Sequence, residues 1–181
     1  LYTAVDVQDE RQLAFYEHNG FKMDYTEDLV RLNDPDEVPQ LFNCSCITLP
    51  LNTVQEQMDL VSRMRGAGFS YFDHGFLLQQ MNRQNFAALG ILYGSNLVGA
   101  CVAAGQYTSA EVMGLYIVPE FQRKGLGTRL LQQTKQALAS TGVTDLTMRV
   151  MSDSEPQVRL VQRFRAELVE HTSASVSYTH L

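Results

Sequence analysis

A basic loop with two glycines, at residues 122–128, is the part of this chain whose residues best fit a chemical role. Glycines at alternate positions before a helix let several backbone N–H groups point at one spot, and a helix N-terminus carries partial positive charge. The loop therefore predicts a ligand that carries phosphate groups. The alternative interpretation is a glycine turn that only connects a strand to a helix. The loop residues are Gln122, Arg123, Lys124, Gly125, Leu126, Gly127 and Thr128.

Two common phosphate-binding loops do not fit this sequence. A nucleotide-hydrolysing P-loop ends in Gly-Lys-Ser/Thr, whereas here Leu126 follows Gly125. A dinucleotide-binding loop needs a third glycine and an acidic residue about 20 positions further on. Residues 128–131 supply no such glycine.

A strand and a helix must hold the loop in place. Residues 109–118 form a short, mostly apolar run, which predicts a strand. Residues 126–140 carry apolar side chains at helical spacing, and Gly142 follows as a stop signal. These helical positions are Leu126, Leu130, Leu131, Thr134 and Leu138.

The rest of the chain from residue 41 mixes strand and helix patterns. A capping box of Thr53 and Glu56 begins a helix that Gly66 ends, and residues 94–96 form a hairpin turn. These patterns predict an α/β fold with a mixed sheet. The other predicted elements are strands at 42–49, 86–93, 97–104 and 143–151, a loop and short helix within 69–84, and a helix at 155–168.

The composition limits the partners. The chain has 181 residues, of which 45% are hydrophobic, and no apolar run approaches a membrane helix. The first forty residues hold ten acidic and three basic residues, and no basic stripe lies beyond the loop. We therefore expect neither a nucleic-acid nor a membrane partner, and we expect a cytoplasmic protein.

The metal-ligating residue types show no metal pattern. The three cysteines lack zinc spacing, and the four histidines are scattered, so no metal is expected. Cys44 and Cys46 would project from the same side of a strand, which favours reduced, packed thiols over a disulfide.

The first forty residues form a segment of their own. They predict a strand at residues 1–5, a helix at 10–19 capped by Gly20, and a hairpin or strand pair at 23–32. Residues 34–40 are polar, contain two prolines and read as a linker.

The motif Gln122-x-x-Gly125-x-Gly127 resembles the coenzyme A loop of the GNAT superfamily of N-acetyltransferases. The flanking run from Leu115 to Phe121 and the leucine-rich helix agree with that family. The resemblance implies the GNAT acyl-CoA N-acyltransferase fold, with a central, mostly antiparallel sheet flanked by helices. It also implies transfer of an acetyl group from acetyl-CoA to an amine, by direct attack in a ternary complex.

The same resemblance implies the ligand contacts. The pantetheine chain would lie along the strand end, where main-chain groups of Tyr116, Ile117 and Val118 would orient the acetyl carbonyl. The pyrophosphate would lie on the N–H groups of residues 122–128. Gly125 and Gly127 should then resist any Cβ atom.

The resemblance also suggests catalytic residues. Glu111 matches a position where some members carry a base, although a solvent-facing strand carboxylate is the alternative. The acid in the family is often a tyrosine of a late motif, which Tyr16 matches in the run from Phe15 to Phe21. At the second such position this chain has Val161, and Arg165 and Ala166 replace the motif's glycine and phenylalanine. Water or Tyr116 are alternative acids, although a packed strand tyrosine is favoured for Tyr116.

Two late motifs in one chain suggest a tandem protein. Residues 1–33 resemble the C-terminal fragment of a first GNAT domain, and residues 41–181 resemble a nearly complete second one. Residues 176–181 alternate as a last strand would, but they also resemble a translated sequencing-adapter sequence, so we treat them as a possible non-native tail.

The acceptor is expected to be a small-molecule or peptide amine, and a homodimer is a further possibility. An aromatic patch with Asp73 at residues 69–76 would suit an amine, although core packing is the favoured interpretation. Two rival hypotheses stay open. In the first the protein is a non-catalytic acyl-CoA binder or a structural half of a tandem enzyme. In the second residues 1–33 swap into the other domain and Tyr16 is catalytic there.

Overall fold

The computed structural model describes the backbone of residues 2–4 and 9–178. Within this part of the chain the packing of Cα atoms divides the protein into two compact units. The larger unit comprises Asp34–Leu146, and the smaller one combines the described residues up to Asn33 with those from Thr147 onward.

The protein has a mixed α/β fold, as predicted. The strand pairs β1 with β8, β2 with β7, β2 with β8, β3 with β4, β4 with β5 and β5 with β6 are antiparallel. The helices are α1 (Glu10–His18), α2 (Val54–Gly66), α3 (His74–Met81), α4 (Leu126–Ala139) and α5 (Glu155–Arg163). The strands are β1 (Tyr2–Ala4), β2 (Phe21–Arg31), β3 (Cys44–Thr48), β4 (Asn85–Tyr93), β5 (Asn96–Gln106), β6 (Ser109–Ile117), β7 (Asp145–Met151) and β8 (Glu167–Tyr178). No helix in the described residues is both long and apolar enough to cross a membrane.

The larger unit is built on four antiparallel strands in the order β6-β5-β4-β3. Tight turns join β4 to β5 and β5 to β6, as the hairpin pattern predicted for the first of them. One residue of β6, Met113, is skipped in the pairing with β5, because Val102 pairs with Gly114 while Ala103 pairs with Val112. Met113 is therefore a β-bulge, which changes the face to which the preceding side chains point.

Helices cover both faces of this sheet. Val102 of β5 belongs to the core cluster formed with α2 and α3, whereas its neighbour Cys101 contacts Thr134 of α4. Because successive strand residues point to opposite faces, α2 and α3 pack on one face and α4 on the other. The first cluster contains Leu51, Leu60, Val61, Met64, Phe72, Leu77, Ala88, Ala100, Val102 and Tyr116.

Local signals set the helix boundaries. Thr53 and Glu56 form the predicted capping box at the start of α2, with the Thr53 hydroxyl accepting from the Glu56 N–H at 3.2 Å. Asp73 begins α3 in the same way, because its carboxylate accepts from the Phe76 N–H at 2.7 Å. Each cap satisfies a donor that the first helical turn leaves without a partner.

The smaller unit has the strand order β1-β8-β2-β7. Strand β2 lies between β7 and β8 and pairs with both. Each strand therefore pairs with strands distant in sequence rather than with the one that follows it along the chain.

Two predicted elements of this unit were wrong. Residues 23–32 were predicted as a hairpin or strand pair, but Phe21–Arg31 is one continuous strand. The helix predicted at 155–168 ends at Arg163, and Arg165 takes a left-handed φ of 46°. The chain turns there because Glu167 and Leu168 pair with Arg31 and Val30 of β2. Of the predicted strand at residues 1–5, Leu1 and Val5 lie outside the described residues.

The cysteines are free thiols, as predicted. Burial raises the pKa of Cys101 from 9.0 to about 12, and burial also raises the pKa of Cys46, where Arg129 opposes it. Because the thiolate is the reactive form and Cys101 is fully buried, we expect iodoacetamide at pH 8 to label Cys44 and Cys46 and to leave Cys101 unlabelled until the protein unfolds. Peptide mass spectrometry checks this order, and equal labelling of all three would contradict it.

Since the folded-state pKa of Cys101 lies above its unfolded value, the stability that this thiol contributes persists below about pH 9 and falls as the pH rises towards 12.

Candidate functional site

The loop that the sequence singled out lies between β6 and α4. A 3₁₀ turn at Pro119–Phe121 follows β6, and α4 begins at Leu126. Arg123 and Gly125 both take left-handed φ angles, of 59° and 86°. Backbone that alternates in this way turns successive N–H groups towards a shared concave side, which is the geometry that binds anions.

The N-terminus of α4 adds further donors to this loop. Gly125 is the N-cap residue and has no side chain, so no side-chain hydrogen bond caps the helix. The first backbone bond of the helix runs from the Arg129 N–H to the Gly125 carbonyl at 3.1 Å. The N–H groups of residues 126–128 come before that bond, at the end of a fourteen-residue helix where the partial positive charge is concentrated.

The side chains of the loop mostly fix its shape. Gln122 Nε2 donates to the Ile117 carbonyl at 2.8 Å and ties the loop to the end of β6. Lys124 Nζ donates to the Glu120 carbonyl at 2.9 Å and lies 5.1 Å from the centre of the Phe121 ring. Arg123 is exposed. Of the two basic side chains of the loop, Lys124 is therefore folded back onto the loop, whereas Arg123 is not buried.

The strand end that precedes the loop is partly engaged within the sheet. The Val118 N–H donates to the Val98 carbonyl at 2.9 Å, and the Ile117 carbonyl accepts from Gln122. These two main-chain groups are therefore already hydrogen-bonded within the protein. The family resemblance had suggested all main-chain groups of residues 116–118 as ligand contacts.

Tyr116 is a core residue, which agrees with the favoured prediction of a packed strand tyrosine. Its ring lies in the cluster beneath α2, and the side chain is 8% exposed. Burial raises the pKa of the Tyr116 phenol, and the nearby Arg63 guanidinium lowers it in part. Its buried hydroxyl has no hydrogen bond of regular geometry among the described residues.

The bulge at Met113 decides the direction of Glu111. Glu111 pairs with Ala104 and Gly114 pairs with Val102, and these two β5 residues point to the same face. Glu111 therefore shares the α2 and α3 face with Gly114 and Tyr116, and its side chain is half-buried. In a regular strand, alternation of side chains would place Glu111, three positions before Gly114, on the opposite face of the sheet.

The predicted aromatic patch divides into two parts. Phe72 is fully buried, Asp73 caps α3, and His74 Nε2 hydrogen-bonds Gln57 Oε1 at 2.7 Å. These three residues have structural roles, in agreement with the favoured core interpretation. Tyr71, by contrast, is 54% exposed.

Tyr71 connects the patch to the bulge. Its hydroxyl donates to the Met113 carbonyl at 2.6 Å, and its ring meets the rings of Phe69 and Phe76 edge-to-face at 6.0 and 5.4 Å. Sequence reasoning missed this contact, because nothing in the spacing relates Tyr71 to Met113, 42 residues later.

The residues of the two late motifs lie in the smaller unit. Tyr16 of α1 contacts Phe15 and Phe21 edge-to-face, at 5.5 and 5.3 Å. Val161 of α5, which stands where the motif has tyrosine, is buried.

The described residues also contain a cavity away from the loop. This cavity, of about 280 Å³, lies beside β4, lined mainly by apolar side chains including Leu49, Leu51 and Met81, and it contains none of the predicted site residues. Within the described part of the chain, no group of three or more His, Cys, Asp or Glu side chains is arranged to hold a metal ion.

Comparison with known proteins identifies the family. Residues 55–165 match the model of the acetyltransferase (GNAT) family, and this match covers more than half of the chain. It contains β6, the loop and α4. No curated protein matches the sequence significantly.

Solved structures share the fold. A GCN5-related N-acetyltransferase from Sphaerobacter thermophilus aligns with a TM-score of 0.76 and 13% identity, over 97% of this chain and 58% of that one. A tandem GNAT protein from the clavulanic acid biosynthesis pathway aligns at 0.70 and 18%, over 97% and 62%. An aminoglycoside acetyltransferase from an uncultured soil metagenomic sample aligns at 0.55 and 17%, over 68% and 88%.

The chain thus spans about three fifths of the length of the first two structures. At these identities the likeness shows the fold alone. The family match over residues 55–165, which include the strand, the loop and the helix, places this chain in the GNAT family of acetyltransferases.

Proposed function

We propose that the protein transfers an acetyl group from acetyl-CoA to an amine, by direct attack in a ternary complex. The observation that supports this most is the loop at residues 122–128, where two left-handed residues precede an uncapped helix N-terminus. Its N–H groups would hold the coenzyme's pyrophosphate, and exposed Arg123 would add a positive charge. Membership of the GNAT family supports acyl transfer, and acetyl-CoA as the donor is our inference.

The reaction would proceed in one displacement. The amine nitrogen attacks the thioester carbonyl, the C–S bond breaks as the tetrahedral intermediate collapses, and the amine loses a proton. We assign that proton to the Glu111 carboxylate, directly or through water, because Glu111 lies on the strand that leads to the loop. The departing thiolate would take its proton from water, since Val161 occupies the place of the usual tyrosine.

Calorimetric titration of acetyl-CoA into the full chain tests the proposal, followed by an assay of coenzyme A release with a panel of amines. Saturable binding followed by release supports the proposal. An absence of both would refute it. One structural neighbour is named as an aminoglycoside acetyltransferase, so aminoglycosides belong in that panel beside amino acids and peptides.

Glu111→Gln should lower kcat by about 10²–10³-fold, because the amide cannot accept the amine's proton. The affinity for acetyl-CoA should stay unchanged, since no coenzyme contact is assigned to this side chain. Glu155→Gln is the control, because Glu155 is an exposed carboxylate of α5 paired with Arg159. If kcat of the two variants is equal, Glu111 is not the base.

A non-catalytic acyl-CoA binder is the second candidate function. The observation that favours it is Val161, a buried apolar residue where the family's motif has a phenol. Under this hypothesis acetyl-CoA binds, but no amine in the panel promotes release of coenzyme A, and Glu111→Gln changes nothing.

We also propose that the chain contains parts of two GNAT domains in tandem. An internal repeat in the smaller unit supports this. Glu10–His18 and Glu155–Arg163 are helices of nine residues at an offset of 145. At the same offset, Gly20 and Arg165 both take left-handed φ angles, of 81° and 46°. A structural neighbour of similar fold is named as a tandem GNAT protein.

The pairing of the two repeats is reciprocal. Strand β1 of the first repeat pairs with β8 of the second, and β7 of the second pairs with β2 of the first. The two second strands, β2 and β8, pair with each other between them. Such reciprocal pairing is what an exchange of strands between two related domains would give.

A further inference from the structure

The segment Asp34–Pro39, which we call the strap, makes up most of the linker predicted at residues 34–40. Within the larger unit it contacts α4 at two points. Near its start, the Asp34 carboxylate accepts from Lys135 Nζ at 2.8 Å. At its end, the Pro39 ring lies against Gly125, the N-cap residue of α4.

These two contacts place the strap alongside α4. Five residue steps separate Asp34 from Pro39, which reach about 17 Å in an extended chain. Ten residues separate Lys135 from Gly125, which correspond to about 15 Å along a helix. The strap therefore lies alongside α4 and runs antiparallel to it, from the third turn of the helix to the loop, with a bend at Asp36. Pro35 and Pro39 limit the freedom of this segment because their φ angles are fixed.

The contact between Pro39 and Gly125 is close. A Cβ atom built on Gly125 would lie 2.8 Å from Pro39 Cγ and 3.0 Å from Pro39 Cβ, with Leu41 Cδ2 at 3.9 Å. The rigid proline ring thus occupies the side of Gly125 where another residue would carry its side chain.

The conformation of the loop requires such support. Arg123 has a Cβ atom and a left-handed φ of 59°, which residues with a Cβ rarely adopt. Such conformations persist only where the surrounding structure fixes them. The hydrogen bonds of Gln122 and Lys124 hold the part of the loop before Gly125, and Pro39 packs on Gly125 itself.

We infer that Pro39 is a positioning residue for the anion-binding loop. It holds Gly125 in the left-handed conformation and thereby directs the N–H groups that follow towards the ligand. This inference rests on the proposed function only in naming coenzyme A as the ligand. It makes the strap a part of the coenzyme site rather than a passive connection.

Pro39→Gly is the first test, because glycine removes the ring and frees the backbone. We expect the Kd of coenzyme A, measured by calorimetry, to rise about tenfold, a free-energy change of about 1.4 kcal/mol. The KM for acetyl-CoA should rise with it, while kcat at saturation stays close to the wild-type value. Pro50→Gly is the matched control, because Pro50 is exposed and the change in unfolded-chain entropy is the same.

A double variant separates positioning from a general loss of stability. Gly125→Ala introduces a Cβ that collides with Pro39, and Pro39→Gly removes the atoms it meets. Gly125→Ala combined with Pro39→Gly should therefore bind coenzyme A more tightly than Gly125→Ala alone, against the direction of additivity. The same comparison with Gly142→Ala in place of Gly125→Ala should show no rescue by Pro39→Gly. Gly142 is also left-handed, but a Cβ atom built on it would have no neighbour within 4 Å.

The outcomes distinguish this inference from the proposed function. If the wild type binds coenzyme A and Pro39→Gly binds equally well, with no rescue of Gly125→Ala, Pro39 does not position the loop. If the wild type does not bind coenzyme A, the proposed function fails and the positioning role for that ligand fails with it. In that case, urea unfolding still tests whether the strap packs on the loop. The urea midpoints of the wild type, Pro39→Gly, Gly125→Ala and the double variant are compared, and packing predicts that Pro39→Gly raises the midpoint of Gly125→Ala.

Discussion

Gly125→Ala should weaken the binding of coenzyme A by at least about a hundredfold, which corresponds to about 2.7 kcal/mol. The structure gives two reasons. Gly125 has a φ of 86°, and a residue with a Cβ atom pays about 1–2 kcal/mol in that region. The new Cβ would also lie 2.8 Å from Pro39 Cγ, so the loop or the strap must move.

Movement at Gly125 affects binding because this residue occupies the N-cap position of α4. The N–H groups of residues 126–128 converge on an anion only while the turn before them keeps its shape. Hydrogen bonds to charged ligands are strong and depend on direction, so a small rotation of the first helical turn costs more affinity than it costs stability.

Gly142→Ala is the control for this prediction. Gly142 follows α4 with a φ of 96°, and nothing lies within 4 Å of its would-be Cβ. Both variants therefore suffer the strain of the left-handed region, but only Gly125→Ala disturbs the loop. Calorimetry of the two variants, with urea unfolding of each, checks the prediction. Equal affinities at similar stability would show that the coenzyme does not bind at this loop.

Removal of residues 1–33 should unfold the smaller unit. Strand β2 lies between β7 and β8 and pairs with both, so the deletion leaves each of them without its antiparallel neighbour. It also removes two buried side chains, Val30 and Leu32, each of which contributes about 1.5–3 kcal/mol by burial. Exposed strand edges are prone to aggregate, so we expect a less soluble protein.

Far-UV circular dichroism and limited proteolysis of residues 34–181 check this prediction. We expect early cleavage after residue 146, while the larger unit resists the protease. Val30→Ala in the full chain is a milder comparison, because it leaves the strand pairing intact. A truncated protein that resists proteolysis to its C-terminal end would instead mean that residues 41–181 fold without help, as the predicted domain boundaries suggest.

Much of the local structure was predictable because short-range rules govern it. The capping box of Thr53 and Glu56, the apolar spacing that begins at Leu126 and the stop at Gly142 all act within a few residues. The same holds for the loop, since the need for glycine at position 125 arises from the backbone itself. Residues 122–128 could thus be identified as the candidate site before any tertiary contact was known.

Other features depended on contacts between residues far apart in sequence. Residues 23–32 were predicted as a hairpin or strand pair, yet β2 is continuous because β7 and β8 pair with its two edges. The helix over 155–168 stops at Arg163 because the residues after Arg165 pair with β2. In both cases long-range strand pairing overrode the local preference.

The sequence by itself therefore determined the loop at residues 122–128, the elements on either side of it and the family resemblance, because these depend on residue types at fixed short spacing. The tertiary structure alone decided the face of Glu111 and the support of the loop. A bulge at Met113 reverses the alternation of side chains that parity would give, and Pro39 reaches Gly125 across 86 residues of chain. Neither leaves a signal in spacing, since a bulge is defined by the partner strand and a packing contact by the fold that brings the two segments together.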